Sequence, residues 1–66
     1  MTKFIEVTDA EHRGKMLINV DMIIYVCTAG NRNACIRYAN SEKEWAVVST
    51  AESYDEVGRK IRNAGR

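Results

Sequence analysis

The chain lacks an apolar run long enough to cross a bilayer. Its longest uninterrupted stretch, Met22 to Cys27, falls far short of the ~20 residues that a spanning helix requires, so no membrane insertion is expected. The opening residues, Met1-Thr2-Lys3-Phe4-Ile5-Glu6, carry no apolar export segment, and a cytoplasmic location is expected. Metal-binding side chains are scarce: one histidine, His12, and two cysteines, Cys27 and Cys35. Tetrahedral zinc takes four ligands, usually in closely spaced pairs, and the sequence has no such pair, so no metal is expected. Catalytic and cofactor motifs are also missing. There is no G-x-S-x-G, P-loop, H-E-x-x-H or G-x-G-x-x-G, and His12 lies between Glu11 and Arg13 with no recognisable partner motif. The sequence therefore reads as non-enzymatic and free of cofactors, with His12 an exposed loop histidine. Nor is there an excess of positive charge. Ten Lys and Arg against nine Asp and Glu leave +1, where a dedicated nucleic-acid binder usually carries much more.

What is present suits one small folded domain spanning residues 1–66. The chain is 45% hydrophobic and 29% charged, without linker, repeat or low-complexity segment. Chains of this size bury only about 60% of their unfolded surface, so stability is marginal and a partner subunit would help.

Five runs rich in β-branched and aromatic residues predict strands at about 3–8, 15–20, 22–28, 34–39 and 44–49. Polar segments separate them: Asp9–Gly14, Ala29–Asn33 (where Gly and Asn suit positive φ) and Asn40–Lys43. From Ser53 the period changes. Ser53 and Glu56 form a capping box, and Tyr54, Val57, Ile61 and Ala64 share one helical face, predicting a helix over about 53–64 that Gly65 ends. Acids lead this helix and bases close it, as the helix dipole favours. Gly58 lies on or beside the buried face, where a missing side chain would let the helix approach the sheet.

The hairpin registers can be tested by pairing. Setting Cys27 opposite Cys35 brings Val26 to Ile36 and Ile24 to Tyr38; a one-residue slip would set Ile24 against Arg37. A four-residue loop at Asn40–Lys43 then brings Tyr38 to Trp45 and Ile36 to Val47. The expected core face is Ile24, Val26, Ile36, Tyr38, Trp45 and Val47, covered by the helix, with Trp45 buried against Tyr38. The opposite face carries Ile23, Tyr25, Cys27, Cys35, Arg37, Ala46 and Val48, which is too apolar for an ordinary wet surface. The predicted fold is α+β: a five-stranded curved antiparallel sheet, or a small open barrel of SH3 or Sm type, with a C-terminal helix.

Two stretches carry a family resemblance: Ile18-Asn19-Val20-Asp21-Met22-Ile23, and Glu52-Ser53-Tyr54-Asp55-Glu56-Val57 followed by Lys60-Ile61. In these the chain resembles the small FlbD family of flagellar and swarming-motility proteins. Its first hairpin loop is longer than that pattern, and Asn40-Ser41-Glu42-Lys43 replaces the Asn-Gly expected before the last strand. The resemblance implies a β meander closed by a helix and a non-catalytic role.

Two functions follow. The first is an interaction or assembly module, a homo-oligomer or an accessory subunit, with Ile23, Tyr25, Arg37, Ala46 and Val48 as its interface. The second is a small barrel binding RNA or single-stranded nucleic acid through Tyr25, Arg32, Arg37 and Lys43. Cys27 and Cys35 are expected to remain reduced.

Overall fold

The structure is a computed structural model that describes residues 3–28, 30, 32–40 and 44–64. The β-branched runs form strands: β1 (Phe4–Thr8), β2 (Lys15–Asn19), β3 (Ile23–Thr28), β4 (Asn33–Tyr38) and β5 (Ala46–Ser53). A 3-10 turn, Val20–Met22, joins β2 to β3, and Asn19 Oδ1 caps it by accepting the Asp21 N–H at 2.9 Å. The chain closes with α1 (Tyr54–Ala64). Among the described residues the expected α+β class is therefore present, with five antiparallel strands and a C-terminal helix. The strands do not form one sheet. They divide into a pair, β1-β2, and a triplet, β3-β4-β5.

The two sheets meet at one isolated bridge, Asp9 to Thr50, beside a hydrogen bond from Ala10 N–H to the Ser49 carbonyl at 2.8 Å. Beyond it, side chains replace a backbone ladder. The Glu52 carboxylate accepts the Thr8 N–H at 2.8 Å and the Thr8 hydroxyl at 2.9 Å, while Lys60 Nζ donates to the Glu6 carbonyl at 2.8 Å. The β1 edge is thus closed by groups from β5 and α1, which satisfies backbone atoms that an open edge would expose.

Alternation along the strands sends Ile5, Val7 and Ile18 from the first sheet, and Ala34, Ile36 and Val48 from the second, into a common core. Val57 of α1 completes it, and Met16, Val20, Ile23, Val26, Tyr38, Ile61 and Ala64 pack around it. Ser53 Oγ accepts the Glu56 N–H at 3.1 Å and so starts the helix as its cap. Tyr54 departs from the expected helical stripe and is 46% exposed. Gly58 does not serve close packing on the sheet, because a Cβ there would meet only the Arg62 guanidinium, at 3.4 Å.

The expected β3–β4 register is present at Val26–Ile36 and Cys27–Cys35. Past Tyr25–Arg37 it changes, because β3 bulges: Ile24 has no partner and Ile23 faces Tyr38. Ile24 therefore leaves the core face, and Ile23 joins it. Between β4 and β5 the register differs by one residue from that expected. Ile36 faces Val48, Arg37 faces Val47 and Tyr38 faces Ala46. Trp45 and Val47, expected inside, are 46% and 49% exposed. Both alternating sets of β5 are apolar, so either could have met Ile36; the observed one places the compact Val48 and Ala46 inside.

β5 also runs to Ser53, four residues past the expected end. Asn33 faces Ser53 while Cys35 faces Ser49, four steps on β5 against two on β4, so β5 bends there. Buried Thr50 holds the bend, donating its hydroxyl to the Ala34 carbonyl at 2.9 Å. In the turns, Arg13 and Arg32 take the positive φ values, 58° and 69°, and Gly30 does not. Residues 41–43 of the expected Asn40–Lys43 turn, positions 29 and 31 of the expected Ala29–Asn33 turn, and Gly65 lie outside the described residues.

Candidate functional site

The outer face of β3-β4-β5 holds the most distinctive side-chain arrangement. Tyr25, Arg37 and Val47 face one another across the three strands, and Trp45 lies diagonally from Arg37. Arg37 and the aromatic rings are brought together by strand pairing. The guanidinium carbon lies 3.7 Å from the Trp45 ring centroid and 5.5 Å from that of Tyr25. Its Nη1 donates to the Tyr25 hydroxyl at 3.1 Å. Each ring presents its electron-rich face or its oxygen to the cation, a contact worth about 0.5–1 kcal/mol at an exposed site. Arg37 Nε is shielded from solvent and has no hydrogen-bond partner among the described residues.

The effect is a plate of flat, mutually braced groups. Tyr25 and Trp45 are each close to half exposed, and Ile24 and Val47 extend the apolar area at 54% and 49%. Trp, Tyr and Arg are enriched among the residues that dominate the energetics of protein interfaces. Stacking on Trp45 further limits the rotamers of Arg37.

The expected interface is corrected by the register. Of Ile23, Tyr25, Arg37, Ala46 and Val48, only Tyr25 and Arg37 are on the outer face. The β3 bulge turns Ile23 inward, and the shifted β5 register turns Ala46 and Val48 inward, with Val48 only 6% exposed. Trp45 and Val47 take their places. A favourable Arg37–Trp45 contact was the signal for this register, but the strength of apolar pairing masked it. Of the possible nucleic-acid contacts, Tyr25 and Arg37 are adjacent. Arg32 is exposed in the β3–β4 turn, at the opposite end of β4 from Arg37, and Lys43 is not described.

A second polar cluster lies in the β1–β2 loop. Asp9 Oδ1 accepts the N–H of Glu11 at 2.9 Å, and Oδ2 meets His12 Nδ1 at 3.0 Å. The hydrogen bond to Asp9, followed by the carboxylate's charge, raises the His12 pKa, and the same bond lowers that of Asp9. Asp9, Glu11 and His12 could each offer a ligand atom, within 4.8 Å of one another. The Asp9 carboxylate is already occupied in closing its own turn, and His12 is exposed as expected.

Among the described residues no nucleophile and base converge on the outer plate. Cys27 and Cys35 face each other across β3 and β4 as free thiols. Among the described residues no helix is long and apolar enough to cross a membrane. No protein-family model matches the chain, and neither curated proteins nor solved structures give a match.

Proposed function

We propose that this protein is a non-enzymatic, cytoplasmic assembly module that docks onto another protein subunit through the outer face of β3-β4-β5. The observation that carries this reading is the Tyr25–Arg37–Trp45 stack, a rigid aromatic and guanidinium plate left half open to water. The Asp9–Thr50 bridge and the Thr8–Glu52 hydrogen bonds, which tie the two sheets together, would let them work as one half-open barrel with the plate on its outer surface. The resemblance to the FlbD family agrees with a non-catalytic role. Its matching residues are structural here: Asn19 caps a turn, Glu52 clips β1 and Ser53 caps the helix.

Nucleic-acid binding is the second reading, favoured by the same exposed rings. Against it, the Arg37 guanidinium is engaged by Tyr25 and Trp45, and net charge supplies little for a phosphate track. A test is capture from native lysate using wild-type, Trp45→Ser and Arg37→Glu baits, with and without nuclease. The proposal expects a discrete protein that survives nuclease and is lost from both variants. Capture that nuclease abolishes, with affinity falling steeply as salt rises, would establish the second reading instead.

A further inference from the structure

A groove separate from the plate runs between β3 and α1. It encloses about 300 Å³ and is lined by Val26, Tyr54, Asp55, Gly58, Ile61 and Arg62. Three features of this groove ask for a common explanation.

The first is Gly58. A glycine inside a helix costs about 1 kcal/mol relative to alanine. Its φ is not positive, and the added Cβ would meet only the mobile end of Arg62. Nothing described in this chain requires glycine there, whereas a second helix crossing at Gly58 would.

The second is charge. Along the groove side of α1, Asp55 stands at one end and Arg62 at the other, with Gly58 and Ile61 between them. Neither charge has an ion-pair partner among the described residues. A stripe that is acidic at one end and basic at the other is complementary to itself when reversed.

The third is the free edge of β3. This strand is terminal in its sheet, and its sequence, Ile23-Ile24-Tyr25-Val26-Cys27-Thr28, contains no charge and no proline. Natural edge strands usually carry such groups to discourage pairing. The bulge at Ile24 protects one end alone, leaving Tyr25 to Thr28 regular.

We propose that the β3 edge and α1 form a twofold interface with a second copy of this chain, β3 pairing antiparallel with its counterpart and the two helices crossing at Gly58. A twofold axis normal to the sheet near Val26 sets each Asp55 against the other copy's Arg62. It also joins the two triplets into one six-stranded sheet, with a Tyr25–Arg37–Trp45 plate from each copy on the same outer face. The proposal does not depend on what those plates bind.

The test is sedimentation equilibrium over a range of concentrations. Wild type sediments at twice the chain mass. Asp55→Arg and Arg62→Glu alone each sediment as monomers with unchanged circular dichroism, since both side chains are exposed. An equimolar mixture of the two returns to dimer, because each unlike pair of copies again sets acid against base at both ends. Gly58→Ala raises the melting temperature of the monomeric Asp55→Arg protein, yet weakens association of the otherwise unaltered chain on the order of tenfold. Trp45→Ser leaves the mass unchanged. The proposal is overturned by a wild type monomeric at millimolar concentration, by a mixture that stays monomeric, or by single charge reversals that stay dimeric. It also fails if Gly58→Ala leaves association intact, or if Trp45→Ser is the variant that dissociates the dimer.

Discussion

Arg37 and Trp45 define each other's positions at the residue scale. A tryptophan turned outward usually leaves its large apolar area in water, but here one ring face is covered by the guanidinium at 3.7 Å. Removing the ring loses that contact and little packing. Trp45→Ala is therefore expected to lower stability by no more than about 1 kcal/mol. Ile36→Ala, at a fully buried site, should cost about 2–5 kcal/mol. Urea midpoints of the two variants check this contrast. Native Trp emission should be red-shifted and quenched by acrylamide; blue-shifted, unquenched emission would put the ring in the core. The Tyr25–Arg37 pair was legible in the sequence because the facing cysteines anchor the β3–β4 register. Trp45 was not legible, because an aromatic beside a strand of valines satisfies an inward reading as well as an outward one.

Among the elements, the helix was the easiest to read and β5 the hardest. α1 announced itself through Ser53, Glu56, Val57 and Ile61, whose spacing no strand could use, and the structure extends it from Tyr54 to Ala64. For β5, period two fails to choose between Trp45/Val47 and Ala46/Val48, and the polar Thr50-Ala51-Glu52 resembles a loop. What extends the strand is tertiary: Thr50 is buried where β5 passes from β4 toward β1. Its hydroxyl is the donor that satisfies Ala34 in a site closed to water. Thr50→Val keeps the shape and deletes that donor, so a loss of about 1–3 kcal/mol is expected. Thermal unfolding monitored by circular dichroism measures it, and an unchanged midpoint would show that the hydroxyl carries nothing at the bend.

For the molecule as a whole, the division into two sheets makes the junction between them decisive. No local pattern could reveal it, since Thr8 and Glu52 are far apart in sequence. Burial disfavours the charged form of Glu52, but the Thr8 hydrogen bonds and the charge of Lys60 outweigh it and lower the carboxyl's pKa. The unfolded chain then holds this proton at pH values where the folded chain has released it. The resulting stability is complete above the ordinary glutamate value and disappears as pH falls through the lower, folded one. Glu52→Gln should flatten the acid limb of the stability curve; parallel limbs for the variant and wild type would rule out this contribution.

That same clip has a consequence for how the protein is made. Glu6 and Thr8 wait for Lys60 and Glu52, groups that a ribosome adds 54 and 44 residues later. Until then β1 has only β2 to hold, and an isolated hairpin is marginal in water. Elongation up to residue 52 therefore leaves the first hairpin without its clip, and its stable folding waits for that later segment to emerge. A chain stalled before residue 52 would present an unguarded strand to every neighbour on the polysome.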